Sequence, residues 1–205
     1  MERKTILQRM GAICGIVAPV LAFSCIFLAI VSYPPFSWTN NALSDLGVVP
    51  GMTGVVFNFG LYASGFFVFI FAVFALFNYL GQRWIGKMGG GAFAAVGLAL
   101  MGIGFFPESV VPAHYLFSVA FFLLIPISLS IITVTFVAMH RPKMAAFTLL
   151  IAVAAALPWV LLFALHYVSG VAIPEFVSAL AGSVWFVTLS YKMFRGTHNP
   201  AVDVA

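Results

Sequence analysis

The amino-acid sequence predicts an all-α integral membrane protein: a six-transmembrane-helix bundle forming one domain over residues 1–205. Three observations carry that prediction. Hydrophobic residues make up 63% of the chain and charged residues 7%, where soluble domains carry about 25% charge. The hydrophobic residues fall into six runs near the length of about 20 residues that a helix needs to cross a bilayer. All nine Lys and Arg residues fall at alternate connections between those runs.

The first run, about 11–32, follows "MERKTILQRM". It is longer than the apolar region of a signal peptide, and no small-x-small cleavage site follows, so it is expected to stay as a span. The others cover about 54–80, 88–106, 114–139, 145–167 and 174–194. Helices are expected because lipid offers no partner to a free backbone amide, and short connections make neighbours antiparallel hairpins. Cys14 and Cys25 share the first run, roughly 16 Å apart along one helix, too far for a disulfide between them. Span two, "FGLYASGFFVFIFAVFALF", reads as a greasy, lipid-exposed helix. In span three, Gly86, Gly90 and Ala94, with Gly89 and Gly97, suit close helix contact within the bundle. Pro19, Pro126 and Pro158 fall inside spans one, four and five and favour kinks. Tyr33, Phe36, Trp38, Tyr115, Trp84 and Tyr191 sit where interfacial anchors belong.

Charge placement fixes the expected orientation. Arg3, Lys4 and Arg9 precede span one; Arg83 and Lys87 join spans two and three. Arg141 and Lys143 join spans four and five, and Lys192 and Arg195 close span six. By the positive-inside rule both termini are expected in the cytoplasm and the chain in the cell membrane, multi-pass. The net charge of +4 thus reports topology, not nucleic-acid binding. Asp45, Glu108 and Glu175 occupy the three opposite connections, one in each, without a Lys or Arg. His114 and His166 lie at the same end, whereas His140 and His198 lie at the other.

Short polar stripes run inward from that acidic end: Asn58 and Tyr62, His114 and Ser118, Glu175 and Ser178. Residues three or four apart share a helix face, and polar groups facing lipid are costly. The stripes are therefore expected to line one wet, outward-facing polar pocket. Asn41 is placed to cap a short helix ending at Gly47, with Ser44 and Asp45 folding over the pocket. Glu108 and Glu175 each follow a proline, the pattern of an ordinary helix start. His114 opens a span, where protonation would oppose the helix dipole, which suits a metal ligand or general base.

The stretch "YPPFSWTNNALSDLG" resembles a prokaryotic membrane family called domain of unknown function 998. The likeness includes Asn58 in "FNFG", "FPE" at 106–108 followed by His114, and "AIPE" with Trp185 downstream. It implies a six-helix membrane protein and carries no established activity. The "SDLG" turn is more remotely similar to that of the six-span Frag/DRAM/Sfk proteins, which suggests lipid handling and points to Ser44, Asp45, Glu108, His114 and Glu175.

The partners expected are the bilayer and a lipid or small polar ligand in the outer pocket, with nucleic acid excluded. The preferred function is lipid-associated binding or organising. An intramembrane metal-dependent lipid hydrolase is a second reading, with Ser44, Asp45, His114 and Glu175 as catalytic candidates. Its divalent ion, zinc for example, would be held by Asp45, Glu108, His114, His166 and Glu175. A proton-linked small-molecule transporter is a third. Whether the chain is an enzyme is left open by the sequence, because no HExxH or clustered Cys gives the carboxylates a metal spacing.

Overall fold

In a computed structural model the chain folds as six helices, and the structure describes residues 2–81 and 83–196, with side chains from Ile6 onward. The expected cytoplasmic His198 lies outside the described residues. Helix α1 spans Glu2–Val31, α2 Met52–Leu80, α3 Trp84–Phe105, α4 Ala113–Ala138, α5 Pro142–Leu165 and α6 Ala172–Gly196. All six are long and apolar enough to cross a membrane. They begin earlier than the apolar runs, because polar residues such as Lys143 continue the helical ladder past the hydrocarbon boundary. A single 3-10 turn, Ser44–Val48, interrupts the long α1–α2 connection.

Each helix packs on its neighbours in sequence, and α6 returns to α1, which closes a ring. Small residues set the tightest crossings. A Cβ at Gly97 would lie 2.7 Å from the Phe69 nitrogen, and one at Gly65 would lie 2.5 Å from the Met101 nitrogen. The backbones of α2 and α3 therefore touch through paired glycines, as expected of a small-residue interface. Gly86 and Gly90 face Leu80 and Phe77, so the glycine stripe of α3 is spent inside the bundle.

Helix α2 does not behave as a lipid-exposed span. Phe57, Leu61, Val68, Phe71, Ala72, Ala75 and Leu76 are all buried, against α1 and α3. Its high Phe content fills the bundle as well as facing outward, a distinction that composition alone cannot draw. Over Ala72–Leu76 the helix widens into a π turn, beside Gly11 of α1, whose missing Cβ leaves room for Ala75.

Aromatic and polar contacts complete the core. Phe71 meets Phe186 edge-on at 4.5 Å, and Phe93 lies 5.1 Å from Trp185. The buried Trp185 donates its Nε1–H to Thr148 Oγ1 at 2.9 Å, and Ser178 donates to the Ala155 carbonyl at 2.6 Å. Both bonds stitch α6 to α5. At the basic end Arg83 donates to the Ala138 carbonyl, and Arg141 donates to the Tyr79 hydroxyl and covers its ring.

Adding a methyl at Gly97 pushes against backbone, so Gly97→Ala is expected to cost about 1–3 kcal/mol, read as an earlier thermal unfolding midpoint in detergent. Gly91→Ala meets only the Phe77 Cζ at 3.9 Å and should be neutral or slightly stabilising.

Candidate functional site

At the acidic end the α1–α2 connection folds back over the bundle and is fastened to α6. Asn41 is its hub. Its backbone carbonyl accepts the Val171 and Ala172 N–H groups at 3.1 and 2.9 Å, two donors that the start of α6 would otherwise leave without partners. Its Oδ1 accepts the Ser37 N–H at 2.9 Å, and its Nδ2 donates to Asp45 Oδ2 at 2.6 Å. In return Glu175, in the first turn of α6, accepts the Leu43 N–H on Oε2 at 2.6 Å. Asn41 thus organises the clasp rather than capping the short turn by itself. Asp45 Oδ2 also accepts the Ala42 N–H at 3.1 Å, ahead of the turn, and the turn itself has no side-chain cap.

Aromatic packing holds the same connection. Trp38 meets Phe36 and Phe176 edge-on, and Phe176 also meets Phe23. Trp38 therefore ties loop to bundle, a role beyond interfacial anchoring.

The three carboxyl groups, one from each acidic connection, come together here. Glu108 lies near enough to the Asp45 carboxyl and the Ser44 hydroxyl for both to act on its titration, and both acids lie within electrostatic reach of Glu175. Glu108 stands in a turn before α4 rather than at a helix start. Two carboxyl groups so close favour keeping one proton between them. Burial, together with Asp45's hydrogen bond and charge, pushes Glu108 from 4.5 up to about 7, and the Ser44 hydrogen bond opposes that rise.

Beneath the clasp lies a partly open cavity of about 110 Å³, lined by α1, α2, α3, α4 and α6 and by Leu43 and Ser44 of the connection. Its walls correct the expectation of a wet polar pocket. Phe57, Leu61, Val68, Val96, Leu100 and Ile125 are typical lining residues, and the polar ones are Ser44, Ser64, Ser118, Ser183 and Glu175. The space is several times that of one water, yet few groups are present to hold water there.

The other sequence candidates fall elsewhere. Tyr62 is 40% exposed on the outside of α2, against Phe105, because Asn58 turns toward the connection instead, donating to the Gly47 carbonyl at 2.8 Å. Ser178 is used in the α5–α6 contact. His166 ends α5 in the left-handed conformation, with its side chain exposed and without a hydrogen bond among the described residues. His114 is 6% exposed, with Nδ1 2.7 Å from the Phe106 carbonyl. A carbonyl only accepts, so Nδ1 carries the proton, and Nε2 is buried without a partner. Among the described residues no three His, Cys, Asp or Glu side chains are grouped to hold a metal ion.

Sequence reasoning missed Ser183 on the cavity wall and two further positions. Ser64, in the middle of span two, lines the cavity. At Gly170 a Cβ would lie 2.6 Å from the Asn41 nitrogen, so the clasp closes only over glycine. The "SG" of "HYVSGVAIPE" was the available signal for the second.

The chain matches the family described as protein of unknown function DUF998 over residues 16–192. It belongs to that family. No curated protein and no solved structure matches it. The matched DUF998 segment takes in the clasp, all three carboxyl groups and every cavity-lining residue.

Folded, Glu108 keeps a proton that the unfolded chain releases between pH 4.5 and about 7. The folded state binds more protons at this site there, so Glu108's contribution to stability should fall as pH rises through that window and level off above it. Thermal unfolding midpoints across the window should show this decline, and Glu108→Gln should lessen it.

Proposed function

We propose that this protein binds a lipid inside the membrane bundle and holds it beneath the acidic clasp. The observation that carries the reading is the apolar cavity with a single carboxylate at its roofed end. An apolar cavity is a poor site for water and a good one for hydrocarbon, and lipid chains are the hydrocarbon at hand in a bilayer. The positive-inside rule puts the clasped end on the outer face, so the lipid would come from the outer leaflet.

The depth agrees with this. Along α2 the lining runs from Phe57 to Val68, a rise of about 16 Å, near half of the roughly 30 Å hydrocarbon core. One leaflet's lipid matches that length. The function is then lipid-associated binding or organising, and the wet pocket of the sequence reading gives way to a greasy slot with a polar rim.

Gly182 tests the reading. A Cβ there touches only Ile125, at 3.6 Å, so a larger side chain grows into the cavity. Gly182→Leu should keep or raise stability, by about 0.5–2 kcal/mol as cavity filling does, while native mass spectrometry shows the co-purifying lipid reduced to background. Wild-type protein that carries no lipid after mild extraction, or a filled variant that carries as much, would sink the proposal.

A further inference from the structure

The hydroxyl groups that line the cavity differ from most others in the bundle, although Ser190, buried away from it, is also without a partner. Ser32, Ser128, Ser130, Thr133, Thr135 and Thr188 each donate to a carbonyl three or four residues earlier in their own helix. That back-bonding is the usual way a membrane helix satisfies a hydroxyl. Ser64, Ser118 and Ser183, which line the cavity, make no hydrogen bond among the described residues. Ser64 is only 1% exposed, and its Oγ is buried without a partner. An unpaired buried hydroxyl is costly, so its freedom inside a cavity points to a ligand group.

The level of Ser64 gives that group a place. Gly60 packs on Cys25, and Phe176 packs on Phe23 and Phe27, so Gly60 and Glu175 stand at similar depth. Ser64 is therefore about one helical turn, roughly 5–6 Å, deeper than Glu175. Below it the lining of α2 and α3 is apolar, through Val68, Phe93 and Val96.

The charge is also one-sided. Glu175 is 7% exposed, with Asp45 and Glu108 within electrostatic reach, and the sequence places no Lys or Arg between Arg9 and Arg83, or at the other two acidic connections. Acidic groups at membrane depth call for a cationic or proton-donating partner.

We infer that the cavity selects a single-chain amphiphile with an amine head, its ammonium against Glu175, a neighbouring polar group at Ser64, and its chain running down toward Phe93 and Phe186. This rests on the lipid-binding reading above and adds the head group. Glu175 supplies charge recognition, Ser64 supplies a hydrogen bond one turn deeper, and the clasp residues Leu43 and Ser44 cover the head.

The test uses full-length protein in nanodiscs of fixed lipid composition. Three photoactivatable probes share one twelve-carbon chain and differ in the head: an amine, an alcohol and a carboxylate. Peptide mapping of the cross-links reads cavity occupancy. The amine probe is expected to label the α2, α4 and α6 lining about ten-fold more than the other two, the scale of one charge-assisted contact. Glu175→Gln, which keeps an oxygen for the Leu43 N–H, should abolish that preference. Ser64→Ala removes no protein hydrogen bond and should lower amine labelling about three-fold, whereas Ser130→Ala should not. Should Glu175→Gln fail to fold, the Ser64→Ala and Ser130→Ala pair decides. Equal labelling by all three heads overturns the amine inference and leaves lipid binding standing. Absence of cavity labelling by any probe overturns both.

Discussion

The arrangement at the acidic end depends on a reciprocal fastening between the α1–α2 connection and the start of α6. One backbone carbonyl, that of Asn41, accepts two N–H groups from α6, and one carboxylate of α6, that of Glu175, accepts an N–H from the connection. Each side satisfies groups that the other would leave bare in a poorly hydrated place, where unmet backbone polarity is expensive. The bonds join residues more than 120 positions apart, so they also close the ring of helices. With that fastening in place, Leu43 and Ser44 cover the cavity, Asp45 is held against Glu108, and the three acids become neighbours.

The remainder of the bundle follows membrane rules. Without a hydrophobic force between helices in lipid, contact comes from small residues and a few good hydrogen bonds. The glycine pairs of α2 and α3 supply the first, and Trp185 with Thr148 and Ser178 with Ala155 supply the second. Helix α5 is used wholly for this support and contributes nothing to the cavity lining. Binding surface and scaffold are thus divided among different helices.

Much of this was legible in the sequence. Six spans followed from apolar run length, and the gathering of Asp45, Glu108 and Glu175 at one end followed from charge alternation. The packing role of the α3 glycines followed from their spacing. What stayed hidden depends on rotation about a helix axis. Asn58 and Tyr62 share a nominal stripe, yet one turns into the connection and the other into lipid, since a polar tip is tolerated near the interface. His166 adopts a left-handed helix end, which usually falls to glycine or asparagine, and it leaves the cluster as a result. Ser64 was invisible because a lone serine in a Phe-rich run looks like any back-bonded hydroxyl. Its missing intrahelical bond together with its place on the cavity wall, both three-dimensional facts, sets it apart.

The π turn in α2 has a bearing on how this helix tolerates change. Val68, Ala72, Leu76 and Leu80 are buried at steps of four residues, and in a regular α-helix such steps drift about 40° each around the axis. A locally wider coil takes up part of that drift, so a four-residue repeat stays turned inward to the basic end. The wall above the turn and the plug below it are in effect separately phased. Because a π turn holds one residue more than an α turn, deleting one residue within 72–76 would restore regular helix and leave Phe57, Leu61 and Ser64 above it, and Tyr79 and Leu80 below it, in their seats.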